Sequence, residues 1–297
     1  MTQTLRRLES VFRGADGVQL ARRSWIPDEA DHQLFLVHGF GEHSARYDAM
    51  GEWFAVRGWS VYAYDHRGHG RSAGHRNFVR GFDEYVADLA VFISGCERGD
   101  HAGVRLAVGH SMGGLILARG LVEGRLDCDA AVLSGAALEV SPDLSRPKQA
   151  LARVLSRFLP KLRTDPGFTA EDLSRDPEVV RRYEADPLVD TGMTLALASA
   201  MLRAQEVTLC EGGRVTTPLL GLHGADDPIC PATGTERFMA AVPNPVSGCT
   251  IYPGLLHEIF NEPEREQVWQ DILAFVERVR GARRDPRGVR RGQEQHD

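Results

Sequence analysis

The chain has 297 residues, 42% of them hydrophobic and 26% charged, which is enough apolar material for one large globular core. Its net charge is −6, and its basic residues, almost all arginine, are scattered among acids until the C-terminal end, so no basic face for nucleic acid is expected. Five cysteines, with no Cys-x-x-Cys pair and no metal-ligand spacing with histidine, argue against a disulfide framework and against a metal site. No apolar signal core follows Met1 to Arg7, and no apolar run approaches the roughly 20 residues that cross a bilayer. The expectation is a cytoplasmic protein with reduced thiols.

In chain order, Leu8–Arg13 and Val18–Trp25 are short, fairly polar strand candidates around Gly14-Ala15-Asp16-Gly17, and they predict an antiparallel edge hairpin. Leu34–His38, Ser60–Tyr64, Val104–Val108, Ala130–Ser134, Pro218–Leu222 and Thr250–Tyr252 follow as strands. Helical patterns near Arg46–Arg57, Phe82–Cys96, Met112–Glu123 and Glu264–Arg280 separate some of them. This alternation predicts an α/β protein with an eight-stranded, mostly parallel sheet and helices on both faces. Asn261 is expected to cap the last helix, with Pro263 in its first turn; Val268, Ile272, Leu273, Val276 and Val279 form its docking stripe.

From Glu139 to Thr208 the alternation stops, and several helices joined by Pro- and Asp-rich turns form an insert after the sixth strand. The division expected is a core of residues 1–138 and 209–281, a helical lid over 139–208, and a disordered tail over 282–297 rich in Arg, Gly and Gln.

Gly109-His110-Ser111-Met112-Gly113 follows an apolar strand and opens a helix, the setting of a nucleophile elbow. Serine needs a base, and in the fold built around such an elbow the acid and then the histidine follow it in the chain. After Ser111 come only His223, His257 and His296. His296 is in the tail and His223 ends a strand, where it suits support of a turn. His257 follows the last strand on a loop over the sheet edge and is the candidate base. The acid should come from His223-Gly224-Ala225-Asp226-Asp227-Pro228, where spacing alone does not choose between two aspartates. The glycines of His38-Gly39-Phe40-Gly41 let a backbone N–H approach an oxyanion, so Phe40 and Met112 N–H are the candidate pair.

His38-Gly39-Phe40-Gly41-Glu42-His43-Ser44-Ala45-Arg46-Tyr47, Asp65-His66-Arg67-Gly68-His69-Gly70-Arg71-Ser72 and Gly109 to Gly114 together resemble the monoacylglycerol lipases and lysophospholipases of the α/β-hydrolase superfamily. So do Ser174-Arg175-Asp176-Pro177, Asp186-Pro187-Leu188 and Leu222 to Cys230, and the likeness spans nearly the whole chain. It implies an α/β-hydrolase fold with a helical cap, a catalytic triad of Ser111, Asp227 and His257, and oxyanion donors Phe40 and Met112. It also implies polar head-group contacts at Glu42, Arg46 and His110. Cys230 matches a cysteine near the site in animal members, and it reads equally well as a small buried side chain. The implied reaction is cleavage of a monoacylglycerol to fatty acid and glycerol without cofactor or metal. A lysophospholipase and a broad carboxylesterase are the alternatives, and a non-catalytic binding protein of the same fold is the rival of another class. The Asp65–Ser72 stretch reads as a structural loop bracing the active-site edge.

In the lid, Leu151, Val154, Leu155, Phe158, Leu159 and Leu162 share a helical face, and Lys148, Arg153, Arg157 and Lys161 fall mostly opposite. Packing of that stripe over an acyl pocket is the expectation preferred to docking on an anionic surface, although an opening lid could do both in turn and give transient peripheral contact with a membrane. Thr194–Val207 should complete the pocket wall.

Overall fold

The structure is a computed structural model and describes residues 4–97, 103–139 and 145–284. Its central sheet is built from β1 (Leu5–Arg13), β2 (Gln19–Pro27), β3 (His32–Val37), β4 (Trp59–Tyr64), β5 (Arg105–His110), β6 (Ala130–Ser134), β9 (Leu219–Gly224) and β10 (Gly248–Tyr252). The spatial order is β1-β2-β4-β3-β5-β6-β9-β10, with β2 antiparallel to both β1 and β4 and every other neighbouring pair parallel. These are the expected strands, and the Gly14–Gly17 turn joins the edge hairpin as the sequence predicts.

Parallel strands covered on both faces read as continuous apolar runs, and β5 and β6 are buried throughout. Alternate side chains enter two cores. Phe35, Val37 and Leu133 pack with α2 (Asp83–Ser94), α3 (Met112–Val122) and α7 (Ala232–Ala240) on one face. Leu34, Leu36 and Val132 pack with α1 (Asp48–Ala55) and α8 (Arg265–Arg284) on the other. The α8 stripe docks as expected, with Val268, Ile272, Val276 and Val279 buried. The chain leaves β3 toward β4 and leaves β5 toward β6. This reversal opens a crevice at the carboxyl ends of β3 and β5, where open α/β sheets bind ligands.

Between β6 and β9 the chain forms α4 (Arg146–Phe158), α5 (Pro177–Ala185), α6 (Leu195–Leu209) and a small antiparallel ribbon of β7 (Arg163–Thr164) with β8 (Met193–Thr194).

Four expectations need correction or addition. The α4 stripe does not cover the pocket: Leu151, Val154, Phe158, Leu159 and Leu162 are all exposed, Phe158 by 77%. Asn261 caps no helix, because its side-chain amide donates to Glu258 and the helix starts at Arg265. Residues 282–284 of the expected tail continue α8, and 285–297 lie outside the described residues. Helix α7 was not foreseen between the last two strands; its Thr233-Gly234-Thr235 start has weak helix propensity, and burial of Phe238 and Met239 overrides it.

Candidate active site

β5 ends at His110 and α3 starts at Met112, so Ser111 alone makes the turn, at φ 53° and ψ −119°. Such a conformation is strained for a side chain with a Cβ and persists only where its surroundings hold it. The holding groups are backbone: Ser111 N–H donates to the Ser134 carbonyl at 2.9 Å, and Ala137 N–H donates to the Ser111 carbonyl at 3.1 Å. The two glycines allow the approach. A Cβ at Gly113 would stand 2.2 Å from the Val37 carbonyl oxygen, and one at Gly109 would stand 2.5 Å from that of Gly113.

The loop after β9 presents Asp227 and the loop after β10 presents His257. The Nδ1–H of His257 donates to Asp227 Oδ2 at 2.7 Å, which settles the imidazole's tautomer and leaves Nε2 bare. The same Oδ2 lies 2.9 Å from His223 Nε2, while Oδ1 accepts the N–H groups of Ile229 and Cys230 at 2.8 and 2.9 Å. Burial alone would raise this carboxyl, but the charge of His257 and the imidazole hydrogen bonds outweigh it and hold it far below the ordinary range. His257 responds in the opposite sense: burial pulls its pKa down, Asp227 more than restores it, and the net shift is upward. Asp226 is exposed, so the structure separates the two adjacent aspartates. His223 does support the turn, through Asp227 and the Cys230 carbonyl.

Ser111 and His257 line one small chamber of about 30 Å³. Cys230 lines the neighbouring space together with Ser111, and burial pushes its thiol well above its ordinary pKa. Phe40 and Met112 flank the serine, and neither N–H donates to any group among the described residues. His110 lies against His257, with ring centroids 4.7 Å apart, and its Nδ1 faces the Ser134 carbonyl at 3.1 Å. Burial, followed by the neighbouring His257, pulls His110 down to about 3, so it stays neutral.

The polar end of the chamber is an ion cluster that the sequence discloses only in part. Glu42 Oε1 accepts Gly39 N–H at 2.6 Å and the Tyr47 hydroxyl at 2.8 Å, while Oε2 accepts Arg46 Nη1 at 2.9 Å. Arg46 also makes a two-pronged pair with Glu258, at 2.5 and 2.8 Å, and stacks 4.7 Å over the Tyr183 ring. Burial works against ionisation of Glu258, but Arg46 dominates and holds it down to about 2; Glu42 is moved upward by burial and by Glu258. Sequence reasoning missed Glu258 and Tyr183. Glu258 follows His257 directly and could have been flagged as an acid on the same loop; nothing local marks Tyr183.

On the other side of Ser111 lies an apolar cavity of about 360 Å³, walled by Met193 of β8 and by Leu195, Ala198, Met201 and Leu202 at the start of α6, the latter as expected of the segment Thr194–Val207. Ser111, Phe40, Phe168 and Ile229 line both spaces, so the hydroxyl stands at their junction. Among the described residues no group of three or more His, Cys, Asp or Glu side chains is placed to hold a metal ion.

A sheet with this strand order, carrying a strained serine at the end of β5, defines the class: an α/β-hydrolase-fold serine hydrolase. The profile of the serine aminopeptidase S33 family matches residues 28–264. A monoacylglycerol lipase of Mycolicibacterium smegmatis is 36% identical over 273 residues, spanning 91% of this chain and 97% of that one. The human monoglyceride lipase is 31% identical over 268 residues, 88% of each. The crystal structure of the Paleococcus ferrophilus monoacylglycerol lipase superposes with a TM-score of 0.77 at 30% identity, covering 93% of this chain and 99% of that one. The chain belongs to the serine aminopeptidase S33 family and is a carboxylic ester hydrolase of the monoacylglycerol lipase type.

Proposed function

We propose that this enzyme hydrolyses monoacylglycerols to fatty acid and glycerol through an acyl-enzyme. Ser111 Oγ attacks the ester carbonyl while His257 Nε2 takes its proton, and Asp227 stabilises the imidazolium that results. The N–H groups of Phe40 and Met112 receive the oxyanion. His257 then protonates the departing glycerol oxygen, water enters, and the same steps run again to release the fatty acid. Arg46, Glu42 and the bare Nε2 of His110 are assigned to the glycerol hydroxyls.

The observation that carries this reading is the position of Ser111 between an apolar cavity and a small polar chamber. The apolar side suits an acyl chain, each methylene of which contributes about 0.8 kcal/mol on burial. The polar side also favours glycerol over a phosphodiester head group. Its one arginine is already shared by two carboxylates, so a phosphate would meet no uncompensated positive charge.

A second reading concerns where the enzyme works. No helix among the described residues is long and apolar enough to cross a membrane. The exposed α4 stripe, with exposed Lys148, Arg157 and Lys161 nearby, supports transient contact of a cytoplasmic enzyme with a lipid surface.

The deciding experiment compares hydrolysis of monoacylglycerols, diacylglycerols, lysophospholipids and p-nitrophenyl esters by the parent chain and by Ser111→Ala. Monoacylglycerols are expected to give the highest kcat/KM, and Ser111→Ala to lose about 10⁴-fold or more while its circular dichroism and melting stay those of the parent. A retained rate in Ser111→Ala, or a preference for lysophospholipids, overturns the proposal. Labelling by a fluorophosphonate separates a hydrolase from a binding protein of the same fold.

A further inference from the structure

The loop after β3 carries one of the two oxyanion donors, and the direction of that donor depends on a single peptide plane. Gly39 and Phe40 are joined by a trans peptide, so the Gly39 carbonyl and the Phe40 N–H point in opposite directions. His38 Nδ1 lies 2.7 Å from the Gly39 carbonyl oxygen. A carbonyl oxygen only accepts, so Nδ1 carries the proton, and the bare Nε2 accepts the backbone N–H of His66 at 2.9 Å. His66 in turn directs its Nε2 to the His38 carbonyl at 2.9 Å and accepts the Tyr64 hydroxyl at Nδ1, 3.1 Å away. The two imidazole rings lie 4.0 Å apart in a fully buried setting. Burial drives both below the ordinary histidine range, His66 to about 3, so each is neutral and each is confined to one tautomer.

We propose that Tyr64, His66 and His38 form a relay of fixed tautomers that orients the Gly39–Phe40 peptide, which makes His38 and His66 positioning residues for the oxyanion donor. The loop needs such a device. Gly39 and Gly41 flank Phe40, Gly41 at φ 74°, and the Phe40 N–H has no acceptor among the described residues to hold it in place. Glu42 secures the preceding peptide through Gly39 N–H, and His38 secures the next through its carbonyl. Turning the Gly39–Phe40 peptide over would present a carbonyl oxygen to the developing negative charge and would leave the His38 donor buried without a partner. Part of the Asp65–Ser72 loop thereby acquires a role in the chemistry, carried through backbone orientation.

This inference rests on the assignment of Phe40 as a donor, so the full chain is first shown to hydrolyse a monoacylglycerol in a Ser111-dependent way. His38→Leu, His66→Leu and His66→Gln are then compared for kcat, KM and affinity for an alkyl trifluoromethyl ketone, which forms a tetrahedral adduct with the serine. Loss of one whole oxyanion donor lowers kcat by about 10²–10³. A misdirected donor is expected to lower kcat by about 10- to 100-fold in the leucine variants. The ketone should lose affinity by the same factor, and KM should stay within twofold. His66→Gln keeps an N–H able to reach the His38 carbonyl and should recover most of the loss. Folded leucine variants with unchanged kcat and ketone affinity, or with kcat lowered and ketone affinity intact, overturn the relay. Where a leucine variant unfolds, Tyr64→Phe decides: a parallel three- to tenfold loss in both quantities supports the relay, and unchanged values refute it. A rate that survives Ser111→Ala refutes the parent reading and the relay together, whereas unchanged His38 and His66 variants beside a Ser111-dependent rate refute the relay alone.

Discussion

At Ser111 a single residue holds a φ of 53° because the backbone around it is fully committed, and the same tight geometry directs its hydroxyl into the crevice. The titration of the site follows from its two partners. Asp227 raises His257 above the ordinary 6.5 of a histidine, and the proposed base must be neutral. The sign is therefore fixed: kcat/KM should fall as pH is lowered, with an apparent midpoint above 6.5, and a profile flat down to pH 5 would exclude His257 as the base. Asp227→Asn removes the charge that lifts His257, so the acid limb should move to lower pH while the plateau drops about 10⁴-fold, as expected when the orienting acid is lost. An unmoved limb in that variant would show that Asp227 does not set the base.

At the scale of elements, glycine spacing is where local pattern and tertiary contact agree best. α3 lies against the end of β3 at Gly113, and a methyl group there would collide with the Val37 and His38 carbonyls, 2.2 and 2.4 Å away. Gly113→Ala should destabilise the fold by about 1–3 kcal/mol or more, read as an earlier urea midpoint. An unchanged midpoint would mean that α3 can shift, and the close packing would then be dispensable. The two amphipathic helices show the limit of such reading. α4 and α8 both carry an apolar stripe at helical period, yet the α8 stripe is buried and the α4 stripe faces outward. Periodicity reports that a helix has an apolar face; which neighbour covers that face depends on where the chain places the helix. Asn261 illustrates the same limit, because Glu258 takes its amide before a helix can use the side chain as a cap.

At the scale of the whole molecule, the helices between β6 and β9 and the sheet edge enclose two adjoining spaces, a polar one beside α5 and an apolar one beside α6, which suit the two ends of the proposed substrate. The α4 stripe stands outside the apolar space and faces solvent. If it meets lipid, Phe158→Glu should reduce cosedimentation with anionic vesicles several-fold and lower the rate on vesicle-borne monoacylglycerol, while hydrolysis of a soluble p-nitrophenyl ester stays at the parent value. Equal cosedimentation of the two proteins would remove the lid from membrane contact.

The expectations for Ser111, Phe40 and Met112 came from short contiguous motifs, whereas His257 came from chain order and elimination, and Asp227 over Asp226 came only from the family resemblance. Gly109–Gly113 needs its glycines for a local turn, the Gly39–Gly41 loop needs them for a local approach, and the strand alternation placing both at one sheet edge is itself a pattern of neighbours along the chain. The surroundings of those residues were not legible in the same way. Arg46 meets Glu258 across 212 positions, His43 meets Asp186 across 143, and the tautomers of His38 and His66 are set by each other's backbone. Such pairings have no period and no motif, since they arise from close packing of segments that the fold brings together. The amino-acid order therefore determined the strand–helix scaffold and the reactive groups it carries, and only the tertiary structure decided which charges neutralise one another, which histidines stay neutral and which helix face meets solvent.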